Sequence, residues 1–115
     1  MTLPSRVQIV EVGPRDGLQN EAAILPVAVR ARLIELLARA GLDRIEAGSF
    51  VSEKAVPQMA ATADVLQSID VPKGVRLAAL VPNLRGFAAA RAAGAGEIAI
   101  FVAATESFSL RNLGC

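Results

Sequence analysis

The residues best suited to chemistry stand in one short run near the start of the chain, where Arg15 and Asp16 are adjacent. A carboxylate at the end of a strand is a hard oxygen ligand that suits Mg²⁺ or Mn²⁺. An arginine stays protonated at pH 7 and can stabilise a developing enolate or alkoxide oxygen. Gly13 and Gly17, on either side of this pair, allow a ligand to approach the backbone closely. The run Pro-Arg-Asp-Gly is also typical of a tight turn in which Asp16 and Gly17 serve only the turn geometry.

Further polar residues stand where other strands are expected to end. Glu46 lies between Ile45 and Ala47, so its carboxylate is either exposed at a strand end or buried with a partner, for which Arg15 is the natural candidate. Ser49 and Asn83 suit ligand contact, but they also suit the capping of helices and loops. Spacing alone leaves these alternatives open.

Composition excludes several classes of function. The chain has 115 residues, a net charge of +1 and no histidine, which rules out a Ser-His-Asp triad, a histidine base or a histidine metal ligand within it. Without strong positive charge, Trp or Tyr, we expect no nucleic-acid partner. The longest stretch free of charged residues, 55–63, is about half of a membrane span, so we expect no membrane insertion. The lone Cys115 permits no internal disulfide and predicts a reducing, cytoplasmic location.

The elements that must position these residues follow from alternating β-like and helix-like runs, which predict βα units around a parallel sheet. The predicted strands are 7–12, 43–47, 75–81 and 97–103. The predicted helices are 27–40, 58–68 and 84–93, and no element is predicted over 105–115. In the first helix the apolar residues at helical spacing are expected to face the core, with Arg30 on another face. Those apolar residues are Val29, Leu33, Leu36, Leu37 and Ala40.

This pattern fits either a doubly wound sheet or part of a (β/α)8 barrel. A complete eight-unit barrel needs about 250 residues, so four units in this length are about half of one. Neither a Gly-x-Gly-x-x-Gly run nor a phosphate-loop pattern supports a nucleotide-binding domain.

The uninterrupted run from Glu11 to Glu21, EVGPRDGLQNE, resembles the signature of 3-hydroxy-3-methylglutaryl-CoA lyases. The similarity continues in Ile45-Glu46, in the segments SFVS (49–52), VPQM (56–59) and VPNLRGF (81–87), and in ESF (106–108) before Asn112. Related aldol-type synthases share Arg-Asp-Gly-x-Gln but differ in the residues before it.

The resemblance implies a (β/α)8 TIM barrel that cleaves 3-hydroxy-3-methylglutaryl-CoA to acetyl-CoA and acetoacetate with Mg²⁺ or Mn²⁺. It implies Asp16 as a metal ligand and Arg15 as the catalytic residue that stabilises the enolate of the departing acetyl-CoA. It further places Glu46 in the catalytic set, and Gln19, Ser49 and Asn112 with Arg15 at the substrate. The chain is therefore expected to be an α/β fold, the N-terminal half of such a barrel, with 1–115 forming one partial domain.

The sequence also departs from the family pattern. Metal-binding histidines, a metal-binding asparagine and a catalytic cysteine of the family's second half have no counterpart here, and Cys115 does not match that cysteine. Near its end the chain reads Asn112-Leu113-Gly114-Cys115 where the family has Asn-x-Asn-Cys. We expect an acyl-CoA substrate, no appreciable turnover by the chain alone, and either a homo-oligomer or completion by a C-terminal half-barrel. The alternative is a catalytically inactive half-barrel that self-associates or pairs with another chain.

Overall fold

The computed structural model describes every residue from Met1 to Cys115. Its strands, in chain order, are β1 (Arg44–Ser49), β2 (Arg76–Leu80) and β3 (Glu97–Ala99). Its helices are α1 (Val27–Arg39), α2 (Thr62–Ser68), α3 (Leu84–Ala92) and α4 (Glu106–Leu113). The strands form one parallel sheet in the order β1-β2-β3, which agrees with the predicted βα units.

The strand predicted over 7–12 is present only as an isolated bridge between Glu11 and Ile45, so that prediction was wrong over most of its length. The Glu11 amide donates to the Arg44 carbonyl (2.9 Å) and the Glu46 amide donates to the Glu11 carbonyl (2.8 Å). Val7 and Ile9 are 72% and 62% exposed. A β-branched pattern favours an extended chain, but a strand forms only where a neighbour takes its hydrogen bonds.

The sheet is also shorter than predicted at its other edge. Pairing of β3 ends where the Val81 amide donates to the Ala99 carbonyl at 2.9 Å, and Pro82 has no amide hydrogen with which to continue the ladder. Ile100 and Val102, which were predicted to lie in this strand, are 74% and 87% exposed.

The helix predicted over 58–68 is divided in two. A 3-10 turn (Pro57–Met59) precedes α2, and Ala61 between them adopts a left-handed backbone with φ 57°. Other side chains take the backbone groups at this break, since Arg30 Nη1 donates to the Ala60 carbonyl and Glu53 accepts from the Ala61 amide. The break therefore depends on contacts remote in sequence.

An unpredicted helix, α4, occupies the segment 106–113. The hydroxyl of Thr105 accepts a hydrogen bond from the Phe108 amide (3.3 Å) at its start. Gly114 ends it with φ 74°, a left-handed conformation that favours glycine. These two caps enclose a short and largely polar helix, for which the sequence analysis predicted no element.

The main core lies between α1, α2 and β1. Its buried apolar residues are Ile34, Ala38, Ile45, Ala47, Val65 and Leu66. The predicted core face of α1 was right for Leu37, which packs against this core, and wrong for Val29 and Leu36, which are each 48% exposed while Arg30 is buried. Helix α1 carries apolar residues on all of its faces, and the face that contains Ala31 and Ala38 is the one that is buried. None of the helices has the length and apolar character that crossing a bilayer requires.

Candidate functional site

A π-helical turn over Gly13–Gly17 places Arg15 beside Glu46 of β1. The Val12 carbonyl accepts hydrogen bonds from the amides of Arg15 (3.1 Å) and Asp16 (2.7 Å), which holds the turn closed. Arg15 Nε then donates to Glu46 Oε1 at 2.6 Å. The Pro-Arg-Asp-Gly segment is thus a turn and also the support of an ion pair, so the two interpretations of it are compatible.

Glu46 occupies a buried position in β1 and is 7% exposed. Its neighbours Ile45 and Ala47 belong to the core beneath the helices. A buried carboxylate is strongly destabilising unless a charge or hydrogen-bond donor compensates it. Arg15, whose side chain is 18% exposed, provides that compensation, and the two groups hold each other in one orientation.

Asp16 stands next to this pair but is more open to solvent. Its side chain is 56% exposed, and Oδ1 lies 3.3 Å from Arg15 Nη1. Both carboxylates contact Arg15, but that of Asp16 is exposed and suits a hard cation, whereas that of Glu46 is buried. No cluster of three or more His, Cys, Asp or Glu side chains that could hold a metal is present. The residues of this chain therefore fit a divalent cation as a single-ligand contribution from Asp16.

Gln19 and Asn112 line one cleft together with Arg15, although they lie 93 positions apart in the sequence. The cleft has a volume of about 490 Å³ and lies between the segment that follows residue 12 and helix α4. Asn112 Nδ2 donates to the Phe108 carbonyl at 2.9 Å. Gln58 Nε2 donates to the Glu21 carbonyl at 2.9 Å and ties the loop after β1 to the loop that carries Gln19.

Ser49 lies outside that cleft. It is 2% exposed, its hydroxyl has no hydrogen-bond partner, and it lines a neighbouring cavity of about 470 Å³. The two cavities share part of their walls, including Ser52 and Asn83. Asn83 caps α3 by accepting the Gly86 amide at 2.9 Å, as the capping interpretation expects. The structure thus brings Arg15, Asp16, Gln19, Glu46 and Asn112 to one end of the sheet and leaves Ser49 beside them.

Sequence reasoning missed a buried cation behind β1. Arg30 Nη2 donates to Thr62 Oγ1 (3.2 Å), which also accepts the Ser49 amide (3.3 Å). Burial lowers the pKa of the Arg30 guanidinium, which nevertheless remains protonated at neutral pH. Gly48 makes room for this contact, because a Cβ there would lie 2.6 Å from Thr62 Oγ1. No sequence signal marks Arg30, since an arginine in a helix usually faces solvent.

Arg111 is the second residue that sequence reasoning missed, and it lines the cleft of Arg15. Its position directly before Asn112, a predicted substrate-binding residue, could have indicated that Arg111 also lies at the site. A guanidinium–carboxylate pair, an open carboxylate and two amides at the carboxyl ends of parallel strands form the kind of site found in α/β-barrel enzymes.

The comparisons identify the family. The HMGL-like family model matches residues 6–115, so the chain belongs to the HMGL-like family. It is 56% identical over 115 residues to the 3-hydroxy-3-isohexenylglutaryl-CoA/hydroxy-methylglutaryl-CoA lyase of Pseudomonas aeruginosa and covers 38% of that protein. It is 56% identical over 114 residues to the mitochondrial hydroxymethylglutaryl-CoA lyase of Rattus norvegicus and covers 35% of it.

Solved structures give the same result for the fold. All of this chain superimposes on 38% of the hydroxymethylglutaryl-CoA lyase of P. aeruginosa, with a TM-score of 0.91 and 56% identity. It superimposes on 39% of the Bacillus subtilis HMG-CoA lyase with a TM-score of 0.93 and 43% identity. An HMG-CoA lyase of Acinetobacter baumannii, solved in complex with coenzyme A and 3-methylmalate, matches with a TM-score of 0.91 and 39% identity. The predicted fold, the N-terminal part of a lyase barrel, is confirmed, and the chain spans less than two fifths of these relatives.

Proposed function

We propose that this chain forms the N-terminal part of a metal-dependent carbon–carbon lyase that cleaves 3-hydroxy-3-methylglutaryl-CoA to acetyl-CoA and acetoacetate. One observation carries the proposal: Arg15 is held at 2.6 Å by Glu46, which is buried within β1, and it lies beside the exposed carboxylate of Asp16. Membership of a lyase family supports the reaction class.

Arg15 is the residue that stabilises negative charge as the carbon–carbon bond breaks. Because its Nε is bound to Glu46 and its Nη1 donates to Asp16 Oδ1 at 3.3 Å, the guanidinium has a fixed direction, and its Nη2 has no acceptor within the chain. A preorganised donor of this kind stabilises a developing oxyanion without reorganising during the reaction. Glu46 acts by orienting Arg15, and its negative charge offsets the cost of burying that cation.

Asp16 would be this chain's ligand to Mg²⁺ or Mn²⁺. Such a cation, when bound, supplies a Lewis acid that polarises the oxygen atoms of the substrate. A single carboxylate leaves most of an octahedral coordination shell to other donors.

Gln19 and Asn112 would bind polar groups of an acyl-CoA in the cleft that they share with Arg15. The structure of the A. baumannii relative with coenzyme A supports this substrate class. Ser49 remains in the proposed substrate-binding set through its place in the adjoining cavity.

A second candidate function is that of a catalytically inactive half-barrel that self-associates or pairs with another chain. The exposed apolar side chains at the two edges of the sheet favour association: Val7 and Ile9 at one edge, Ile100 and Val102 at the other. We propose that the isolated chain has no appreciable turnover and that a C-terminal half-barrel or a second copy covers these edges. A cytoplasmic location is likewise proposed from the single cysteine and is checked by cell fractionation.

Reconstitution of a longer chain tests the proposed function. Residues 1–115 are joined to the part of the P. aeruginosa lyase that follows its matched region, and acetoacetate release is measured with Mg²⁺. We expect the chimera to turn over, the isolated chain to show none, and Arg15→Met to lower kcat of the chimera by about 100-fold or more. Arg91→Gln, at an exposed position of α3, serves as the control. A folded but inactive chimera, or a chimera indifferent to Arg15→Met, would contradict the proposal.

A further inference from the structure

The cleft that contains Arg15 has an uneven distribution of charge. Among its 14 lining residues, Arg15 and Arg111 are the only ionisable ones, and none is a carboxylate. The charge of Arg15 is balanced by Glu46 at 2.6 Å and Asp16 at 3.3 Å. Arg111 takes part in none of the ion pairs of the chain. The uncompensated positive charge of the cleft therefore belongs to Arg111.

The other residues of the cleft indicate what else a ligand with an anionic group would contain. Side-chain amides (Gln19, Asn83, Asn112) alternate with apolar surfaces such as Phe101 and Phe108. A ligand that has apolar parts, polar groups and one anionic group would match this lining. Helix α4 brings Arg111 to the wall of this cleft, and its backbone is fixed at both ends, because Thr105 caps its start and the Gly114 amide bonds to the Leu110 carbonyl (3.2 Å) at its end.

We propose that Arg111 binds an anionic oxygen group of the acyl-CoA, and that it selects substrates which carry a second negatively charged group in the cleft that it shares with Arg15. This inference rests on the proposed lyase function and adds a specificity residue to it. The planar guanidinium can donate two parallel hydrogen bonds to a carboxylate or a phosphate, which an ammonium group cannot reproduce. The anionic group is either the free carboxylate of the acyl part or a phosphate of coenzyme A.

Binding to the full 115-residue chain tests the inference and distinguishes these sources. Coenzyme A, which has phosphates but no acyl carboxylate, and 3-hydroxy-3-methylglutarate, which has carboxylates but no phosphate, are titrated separately by calorimetry. We expect Arg111→Gln to weaken one of the two about ten-fold or more, the loss that follows from removing a charge-assisted hydrogen bond. Arg111→Lys should weaken it less, and the exposed Arg91→Gln should have no effect. The probe that is weakened identifies the anionic group.

Unchanged affinity of Arg111→Gln for both probes overturns the inference, as does a wild-type chain that binds neither. Failure here is distinguishable from failure of the lyase function. In the chimera, Arg111→Gln should raise KM about ten-fold with little change in kcat, whereas Arg15→Met acts on kcat. An active chimera whose KM does not respond to Arg111→Gln leaves the lyase function standing and removes this role of Arg111.

Discussion

Replacement of Glu46 by glutamine should weaken both the fold and the positioning of Arg15. The wild-type contact joins Arg15 Nε to Glu46 Oε1 at 2.6 Å, with side chains that are 18% and 9% exposed. Glutamine keeps the size of the side chain and can still accept the hydrogen bond, so the change removes mainly the negative charge. Arg15 would then be a partly buried cation whose nearest carboxylate is the more exposed Asp16 at 3.3 Å.

The magnitude follows from the difference between two kinds of hydrogen bond. A charge-assisted bond contributes about 1.5–3 kcal/mol and a neutral one about 0.5–1.5 kcal/mol, so Glu46→Gln should lower the free energy of unfolding by about 1 kcal/mol. The partial exposure of Arg15 places the value at the lower end of the possible range. In a double-mutant cycle with Arg15→Met, we expect a coupling energy of about 1–2 kcal/mol. In the lyase chimera, kcat should fall about ten-fold while KM changes little, because the guanidinium loses its fixed direction.

Urea denaturation of the 115-residue chain, followed by circular dichroism, measures the stability part of this prediction. The control is a second cycle on the pair Arg32–Glu35, whose atoms lie 3.6 Å apart one helical turn from each other and whose arginine side chain is 55% exposed. That pair should show a coupling of about 0.2–0.5 kcal/mol. A coupling between Arg15 and Glu46 no larger than that of the control would refute the argument that burial makes their pair important.

Two other predictions concern the remaining parts of the site. Gly48→Ala should destabilise the chain by about 1–3 kcal/mol, because the new Cβ would lie 2.6 Å from Thr62 Oγ1. Thr62→Ala in the same chain should recover part of that loss in urea denaturation, and a tolerated Gly48→Ala would show that this contact is not tight. Mn²⁺ added to the isotope-labelled chain should broaden NMR signals around Asp16, with millimolar or weaker affinity, since one carboxylate is a weak cation site. Asp16→Asn should abolish the broadening, whereas broadening centred elsewhere would contradict the assignment of this ligand.

The sequence predicted the parts of the fold that depend on local patterns. Alternating apolar runs and their glycine and proline boundaries indicated the three strands of the sheet and the helices α1, α2 and α3. The strand at 7–12 failed because residues such as Val7 have the right propensity but no hydrogen-bonding neighbour. Helix α4 was missed because it is short and largely polar, although Thr105 and Gly114 are the residue types expected at its two ends.

The candidate site was predictable to the extent that its residues lie in one motif or at strand ends. Arg15, Asp16 and Glu46 follow from those rules, and their pairing follows from the cost of an unpaired buried carboxylate. The burial of Arg30 was not predictable. It depends on which face α1 turns toward β1, and α1 carries apolar residues on all of its faces, so the sequence does not single out one face. The position of Ser49 depends on the irregularity in β1 between Glu46 and Gly48, where the pairing register with β2 shifts. A shift of one residue changes the face to which the following side chains point.

The two halves of the proposed chemistry differ in how completely this chain determines them. The orientation of Arg15 depends on the turn over Gly13–Gly17, on the buried Glu46 and on the bridge from Glu11 to β1, and the hydrogen bonds that join these segments all lie within the chain. The metal site, in contrast, is not determined by this chain alone. Asp16 is the single exposed carboxylate beside the Arg15–Glu46 pair, and an octahedral ion needs further donors. The Arg15 guanidinium that stabilises the oxyanion should therefore be correctly oriented even when the metal site is incomplete. Removal of metal from a lyase assembled with this chain should accordingly abolish turnover without loosening the Arg15–Glu46 pair.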